Sequence, residues 1–507
     1  MTQISLKQFH LANPAKVDLP DESIFNLPEK VLQFGTGVLL RGLPDYFIDK
    51  ANKKGIFKGR IVVVKSTDSG DSAAFDLQDN LYTICERGIS DGESFENNIL
   101  SSSISRVLSA KTQWNDILAC AGNPEMEIIL SNTTEVGIQL VKDDIHDTPP
   151  VSFPGKLLAF LYARFKAFGG DKEKGMIIVP TELITDNGKK LEAIVLELAH
   201  LNALETDFID WLETSNTFCN SLVDRIVPGK PDSHSRAKIE EELGYQDDLL
   251  TVSEIYRLWA IEGDERVKNK LSFHQIDENL IIEPNIDLYR ELKLRLLNGT
   301  HTLSCGLAFL AGFSNVKEAM EDDIMNGFIS NLMLADLAPA IPYKVNEKIA
   351  QRFGMQVLDR FRNPSLDHRW INITVQYSSK MKMRNIPTLI NYYQTLKCVP
   401  EYISFGFAAY LLFMKSVKVE GSAYFGFANG EYYQIQDEKA AYFYEKWQKS
   451  KPEELVGSVL SDKNLWDADL TELPDFARTI SEYLNIMTGK GVKESLKCFL
   501  RKEVWEF

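Results

Sequence analysis

Lys30-Val31-Leu32-Gln33-Phe34-Gly35-Thr36-Gly37 is the stretch on which the fold turns. A short apolar run stops at two glycines spaced by one residue, and a helical pattern follows over Pro44–Lys53. Strand, glycine turn and helix in that order begin a dinucleotide-binding unit. The first glycine makes the tight turn and the second lets the backbone approach a pyrophosphate. The helix then offers its N-terminal N–H groups to that anion. Gly35 and Gly37 are therefore candidate cofactor-binding residues. The third glycine of the full motif is missing, because position 40 is Leu40 and Gly42 comes two residues later. The glycine pair alone is a weak signal, so the case rests on its surroundings.

Working outward, Ile61-Val62-Val63-Val64, Met126-Glu127-Ile128-Ile129-Leu130 and Met176-Ile177-Ile178-Val179-Pro180 are short apolar runs ended by polar or turn residues. Parallel strands covered on both faces have this pattern. Helical patterns over 114–121, 154–168 and 190–203 alternate with them, which predicts an α/β fold with a Rossmann-type doubly wound sheet. Beyond Pro284, strand-like runs thin out. Helical periodicity then dominates over 288–313, 315–337, 345–360, 387–396 and 402–417. The expected organisation is a dinucleotide-binding domain over 1–285 and a mainly α-helical substrate and catalytic domain over 286–507.

An acidic residue near the end of the second strand would bind the ribose hydroxyls, and Asp68 is the candidate. Lys65, close by, suits a 2′-phosphate, so residue chemistry leaves NAD and NADP both open.

The bulk numbers bound the function. The 507 residues are 44% hydrophobic and 25% charged, as in a globular chain with a sizeable core. A net charge of −16 argues against nucleic acid as partner. The six cysteines form no CxxC pair and read as reduced thiols. The seven histidines show no zinc-ligand spacing, so no metal is expected. The longest apolar stretch, 403–414, is too short to span a bilayer, and the N-terminus lacks an apolar signal core. These features predict a cytoplasmic enzyme with no membrane partner, monomeric or a small homo-oligomer.

The stretch Glu291-Leu292-Lys293-Leu294-Arg295-Leu296-Leu297-Asn298-Gly299-Thr300-His301 carries the chemistry. On an α-helix Asn298 lies about 140° and His301 about 80° from Lys293, so one side of the helix presents all three. Lysine is a candidate acid/base, asparagine a donor to a developing alkoxide, and histidine a positioning or relay group. Gly299 in mid-helix costs about 1 kcal/mol against alanine and marks a close approach by something.

Four motifs together resemble the polyol-specific long-chain dehydrogenases, the mannitol dehydrogenase group. They are Gly35-x-Gly37-x-x-x-Arg41, Asn132-Thr133-Thr134-Glu135-x-Gly137, Val223-Asp224-Arg225-Ile226 and the Lys293–Asn298–His301 spacing. The resemblance covers nearly the whole chain. It implies NAD chemistry without a metal, Lys293 as general acid/base, Asn298 and His301 on the reacting oxygen, and Arg41, Asn132 and Thr133 beside the cofactor. Within the group, 123–126, 218–226, 240–245 and 360–364 are most similar to members that reduce the keto-uronate D-tagaturonate to D-altronate. The isomeric D-fructuronate stays open. A nucleotide-binding sensor is the non-enzymatic alternative, and the intact Lys–Asn–His set argues against it.

Two departures bear on the substrate. The group carries Cys-Asp-Asn where this chain has Thr181-Glu182-Leu183, and an arginine where it has Asn372, eight residues before the lysine matched by Lys380. Both argue against a neutral hexitol. A keto-uronate needs a cation for its carboxylate. Lys380 is the first candidate, Arg384 the second and Arg362 a third, while His368 reads as a structural histidine.

Overall fold

The structure, a computed structural model, describes residues 1–66, 73–133 and 137–503. The chain divides into two compact units, one of residues 1–88 with 94–286 and one of residues 89–93 with 287–507.

The first unit is built on six parallel strands: β1 (Glu29–Phe34), β2 (Arg60–Lys65), β3 (Ile104–Ser109), β4 (Ile128–Ser131), β5 (Ile177–Pro180) and β6 (Thr217–Phe218). Their order is β3-β2-β1-β4-β5-β6, the doubly wound Rossmann arrangement. Val31 pairs with Ile61 on one side and Ile128 on the other.

Successive strand residues serve opposite layers, because side chains alternate faces with period two. Leu32, Phe34, Val62, Val64, Ile129 and Ile178 pack into one core, under helices Phe153–Ala167, Asn187–Leu201 and Thr206–Ser215. Val31, Ile61, Val63, Ile128, Leu130, Ile177 and Val179 pack into the other, against Tyr46, Phe47 and Ile48 of helix Pro44–Lys53. Each such side chain contributes roughly 1.5–3 kcal/mol on burial. Continuous apolar runs are the consequence of having no solvent face.

The strand order reverses between β1 and β4, and ligands of such sheets bind beyond the carboxyl ends at that point. There the Asn132 N–H donates to the Phe34 carbonyl at 3.2 Å.

Sequence reading missed several strands. Among them are β3, β6 and the neighbouring strands Tyr82–Ser90 and Glu93–Ser101. Much of Glu93–Ser101 is exposed and polar, so it carries little apolar signal. The turn was legible, since Asp91 and Gly92 both have positive φ, the conformation that Asp-Gly favours in a two-residue hairpin.

The second unit is mainly helical. One continuous run spans Asp287–Leu292, a π-helical segment Lys293–Gly299, and Thr300–Leu310. Further π segments are Leu332–Leu337 and Met381–Asn385. The apolar stretch over 403–414 is the buried helix Glu401–Phe413, packed against Thr300–Leu310 and Phe476–Lys490. Gly406 lets the first pair approach, because a Cβ there would lie 2.8 Å from the Leu303 carbonyl oxygen. No described helix is long and apolar enough to cross a membrane. A meander of three antiparallel strands, Lys418–Glu420, Ala423–Ala428 and Glu431–Gln434, also escaped the helical reading. Its Asn429-Gly430 turn has φ positive at both residues.

Candidate active site

In the first unit the glycine turn has the conformation its sequence demands. Gly35 has φ +127°, and a Cβ there would lie 2.9 Å from Leu40 Cδ1 and 3.1 Å from the Asn132 carbonyl oxygen. Only glycine fits. Gly37 caps helix Val38–Gly42, and among the described residues a Cβ on it would meet nothing within 4 Å. The turn is closed beneath and open above, which is the cradle that a pyrophosphate needs.

Asn132 and Thr133 are anchored next to it. Asn132 Nδ2 donates to the carbonyl and hydroxyl oxygens of Thr181 at 3.1 and 3.0 Å. Both the N–H and the hydroxyl of Thr133 donate to Glu182 Oε1, at 2.8 and 3.0 Å, and the Ser131 hydroxyl donates to Oε2 at 3.2 Å. Glu182, which is buried, thus ties the ends of β4 and β5 together. Along the chain, Thr181-Glu182-Leu183 reads only as a departure from the family's Cys-Asp-Asn, with no sign of this clamp. Leu183 itself is 64% exposed and offers no side-chain hydrogen bond.

Arg41, expected beside a cofactor, points its side chain into the first unit. Its guanidinium is buried, donates to the Leu249 carbonyl and lies 5.4 Å over the Tyr82 ring. Among the described residues its Nε is buried without a hydrogen-bond partner. Asp68 lies outside the described residues.

In the second unit the Lys–Asn–His helix departs from α geometry. Lys293–Gly299 is π-helical, with i→i+5 hydrogen bonding. That winding brings residues five apart, such as Lys293 and Asn298, towards alignment, where an α-helix would hold them about 140° apart. Lys293 and Asn298 are half-buried and His301 is buried. The close approach read from Gly299 is to Asn385, whose Oδ1 would lie 2.9 Å from a Cβ at that position.

His301 stacks on Phe361 with ring centroids 4.1 Å apart, and meets His368 edge-on at 5.0 Å and Trp370 at 6.0 Å. Its Nε2 is buried with no hydrogen-bond partner among the described residues. Such an orphan is costly unless something else uses it. Burial pulls the His301 pKa well below its ordinary 6.5, and the neighbouring basic groups His368, Arg360, Arg384 and Lys380 push it the same way. His368 is lowered too, first by burial and then by Arg360 and Lys380. The His301 ring is therefore neutral and has basic groups around it.

The expected cations separate. Arg384 joins this cluster and donates from Nη1 to the Thr302 hydroxyl at 3.0 Å. Lys380 joins it as well, with Nζ donating to the Ile373 carbonyl at 3.0 Å, and burial lowers its pKa. Arg362 is instead engaged by Asp359 at 3.3 Å and Asn326 at 3.2 Å. Sequence reasoning missed Arg360, which is buried and acts on both histidines.

A neutral buried histidine has a consequence for stability. Unfolding lets His301 take up a proton at its ordinary 6.5, whereas the folded ring resists protonation until well below that pH. The unfolded state therefore binds more protons in this window, and stability falls as pH drops from 6.5. Tm measured from pH 8 to pH 5 is expected to decline below 6.5, and His301→Phe is expected to shallow that decline. Parallel curves for the two proteins would refute a neutral His301.

Residues 29–275 match the Mannitol dehydrogenase Rossmann domain, and residues 285–488 the Mannitol dehydrogenase C-terminal domain. The chain belongs to the mannitol dehydrogenase family. Among curated relatives it is 37% identical to the altronate oxidoreductase of Halalkalibacterium halodurans, over 94% of each chain. It is 38% identical to that of Bacillus subtilis, over 93% of this chain and 95% of the relative. Among solved structures, its fold is similar to Pseudomonas fluorescens mannitol 2-dehydrogenase in ternary complex with NAD and D-mannitol. That match has a TM-score of 0.66 and 22% identity, over 99% of this chain and 100% of the other. A D-sorbitol dehydrogenase in substrate-free form gives a TM-score of 0.79 at 20% identity, over 98% and 100%. As a member of this family the chain is a dehydrogenase acting on a CH–OH group or the carbonyl made from it.

Proposed function

We propose that this enzyme reduces D-tagaturonate to D-altronate with NADH. The observation that carries the reading is the cluster of basic groups around His301 in the second unit. A buried His301 Nε2, with no hydrogen-bond partner among the described residues, stands among Arg360, Lys380 and Arg384, a basic surround that suits a sugar acid better than a neutral polyol. The names of the altronate oxidoreductase relatives support the same substrate.

When bound, NADH would supply a hydride to the ketone carbon. The chain's own residues manage the oxygen and its proton. Gly35 and Gly37 receive the pyrophosphate, and Asn132 and Thr133, clamped by Thr181 and Glu182, shape the adjoining strand end. Lys293 gives the proton that the oxygen takes as hydride arrives, so the ketone becomes a secondary alcohol. Asn298 and His301 hold the oxygen through neutral donors, with Asn298 acting without the asparagine replaced by Leu183. Arg384, with Lys380, binds the carboxylate. The unpaired cysteines, four of them buried, fit a reducing cytoplasmic setting.

The test is a substrate panel of D-tagaturonate, D-fructuronate, D-tagatose and D-fructose, run with NADH and with NADPH. The expected result is highest kcat/KM with D-tagaturonate and NADH. Preference for D-fructuronate would move the substrate to the isomer, and preference for a neutral ketose would overturn the uronate reading.

A further inference from the structure

We infer that Thr302 is a specificity-determining residue that aims Arg384 at the substrate carboxylate; this rests on the uronate reading above. Arg384 lies in the π segment Met381–Asn385, and an i→i+5 segment disturbs the regular carbonyl ladder of a helix. The carbonyls of Met383 and Arg384 both accept from Arg295 Nη1 at 2.8 Å. Arg295 is buried, and its Nε is paired with Glu291 at 2.9 Å. One guanidinium on the Lys293–Gly299 segment thus fixes the backbone from which Arg384 projects.

Thr302 fixes the side chain. Its hydroxyl donates to the Asn298 carbonyl at 2.7 Å and accepts from Arg384 Nη1 at 3.0 Å. A hydroxyl has one hydrogen. With that hydrogen committed to Asn298, a lone pair faces Arg384 in a set direction. Thr302 is fully buried, so water does not compete for it. Among the described residues, Arg384 Nε and Nη2 make no other hydrogen bond, which leaves donors for an anion. Burial lowers the Arg384 pKa, and an incoming carboxylate offsets that desolvation. The chain Asn298 carbonyl, Thr302 hydroxyl, Arg384 guanidinium therefore couples the segment that holds the reacting oxygen to the group that holds the acid.

The residue acts through Arg384, so its loss is read in discrimination between substrates. Thr302→Val keeps shape and removes the hydroxyl. It is expected to raise KM for D-tagaturonate about tenfold, the loss of one charge-assisted hydrogen bond. KM for D-tagatose and the Kd for NADH should stay within about twofold, and Thr302→Ser should restore the wild-type KM for D-tagaturonate. An unchanged KM for D-tagaturonate, an equal loss on both sugars, or no rescue by serine would overturn the role. Should the valine variant fail to fold, Thr302→Ala also lacks the hydroxyl and carries the same comparison. Wild-type enzyme without preference for D-tagaturonate over D-tagatose would instead bring down the uronate reading.

Discussion

Lys293→Ala is expected to lower kcat for D-tagaturonate reduction on the order of 10³-fold, the usual weight of a positioned general acid. The Kd for NADH should hold within about twofold, because proton donation to the oxygen is a separate task from seating the cofactor. The two readouts separate chemistry from folding. A variant that keeps its NADH affinity has kept its first unit, and one that keeps its Tm has kept the helical unit. Lys293 opens the π segment that also carries Asn298. Alanine is a strong helix former, so the substitution removes the ammonium without disfavouring the helix. Turnover at the wild-type rate would show that the proton comes from elsewhere.

Arg384→Met is expected to reduce kcat/KM for D-tagaturonate about 100-fold, equivalent to about 2.7 kcal/mol, within the range for hydrogen bonds to charged groups. Methionine preserves much of the aliphatic stem, so the packing of the Met381–Asn385 segment is retained while the fork is lost. D-Tagatose, which has no carboxylate, should lose less than about threefold. The ratio between the sugars is the diagnostic quantity. An equal fall for both would assign Arg384 to the architecture of the pocket, and no fall for either would leave the carboxylate to Lys380 or Arg360. The variant also removes one of the basic neighbours acting on His301. The His301 pKa should rise toward 6.5, so the acid-side fall in Tm should be smaller and level off at a higher pH.

Much of the first unit was legible along the chain. Val62, Val63 and Val64 are a run without a polar partner, which suits a strand covered on both faces, and alternate members do face the two cores. Gly35 marked a turn closed to any side chain, and φ there is positive. Lys293, Asn298 and His301 were set apart by spacing within one helix. Gly299 signalled a close approach without naming Asn385 as the partner. The two unread hairpin turns, Asp91-Gly92 and Asn429-Gly430, carried a local signal that the surrounding polar strands obscured.

What sequence by itself determined is local: which runs are too apolar to face water, where the backbone must turn through positive φ, and which chemical groups share one helix. Those properties depend on neighbours within a few residues, and a linear pattern records them. Tertiary structure decided the environment of each group. Phe361, His368 and Trp370 lie at least sixty residues from His301 along the chain, yet their rings surround it, and its neutrality depends on that enclosure. Arg41 and Arg384 carry the same guanidinium. The first is buried within its unit against the Leu249 carbonyl and the Tyr82 ring, while the second lies among the basic groups around His301 and bonds Thr302. The winding of Lys293–Gly299 was likewise beyond the α-helical reading, because no residue-level preference distinguishes a π segment from the α-helix around it. Burial, charge and hydrogen-bond partners depend on distance in space, and the folded chain alone sets those distances.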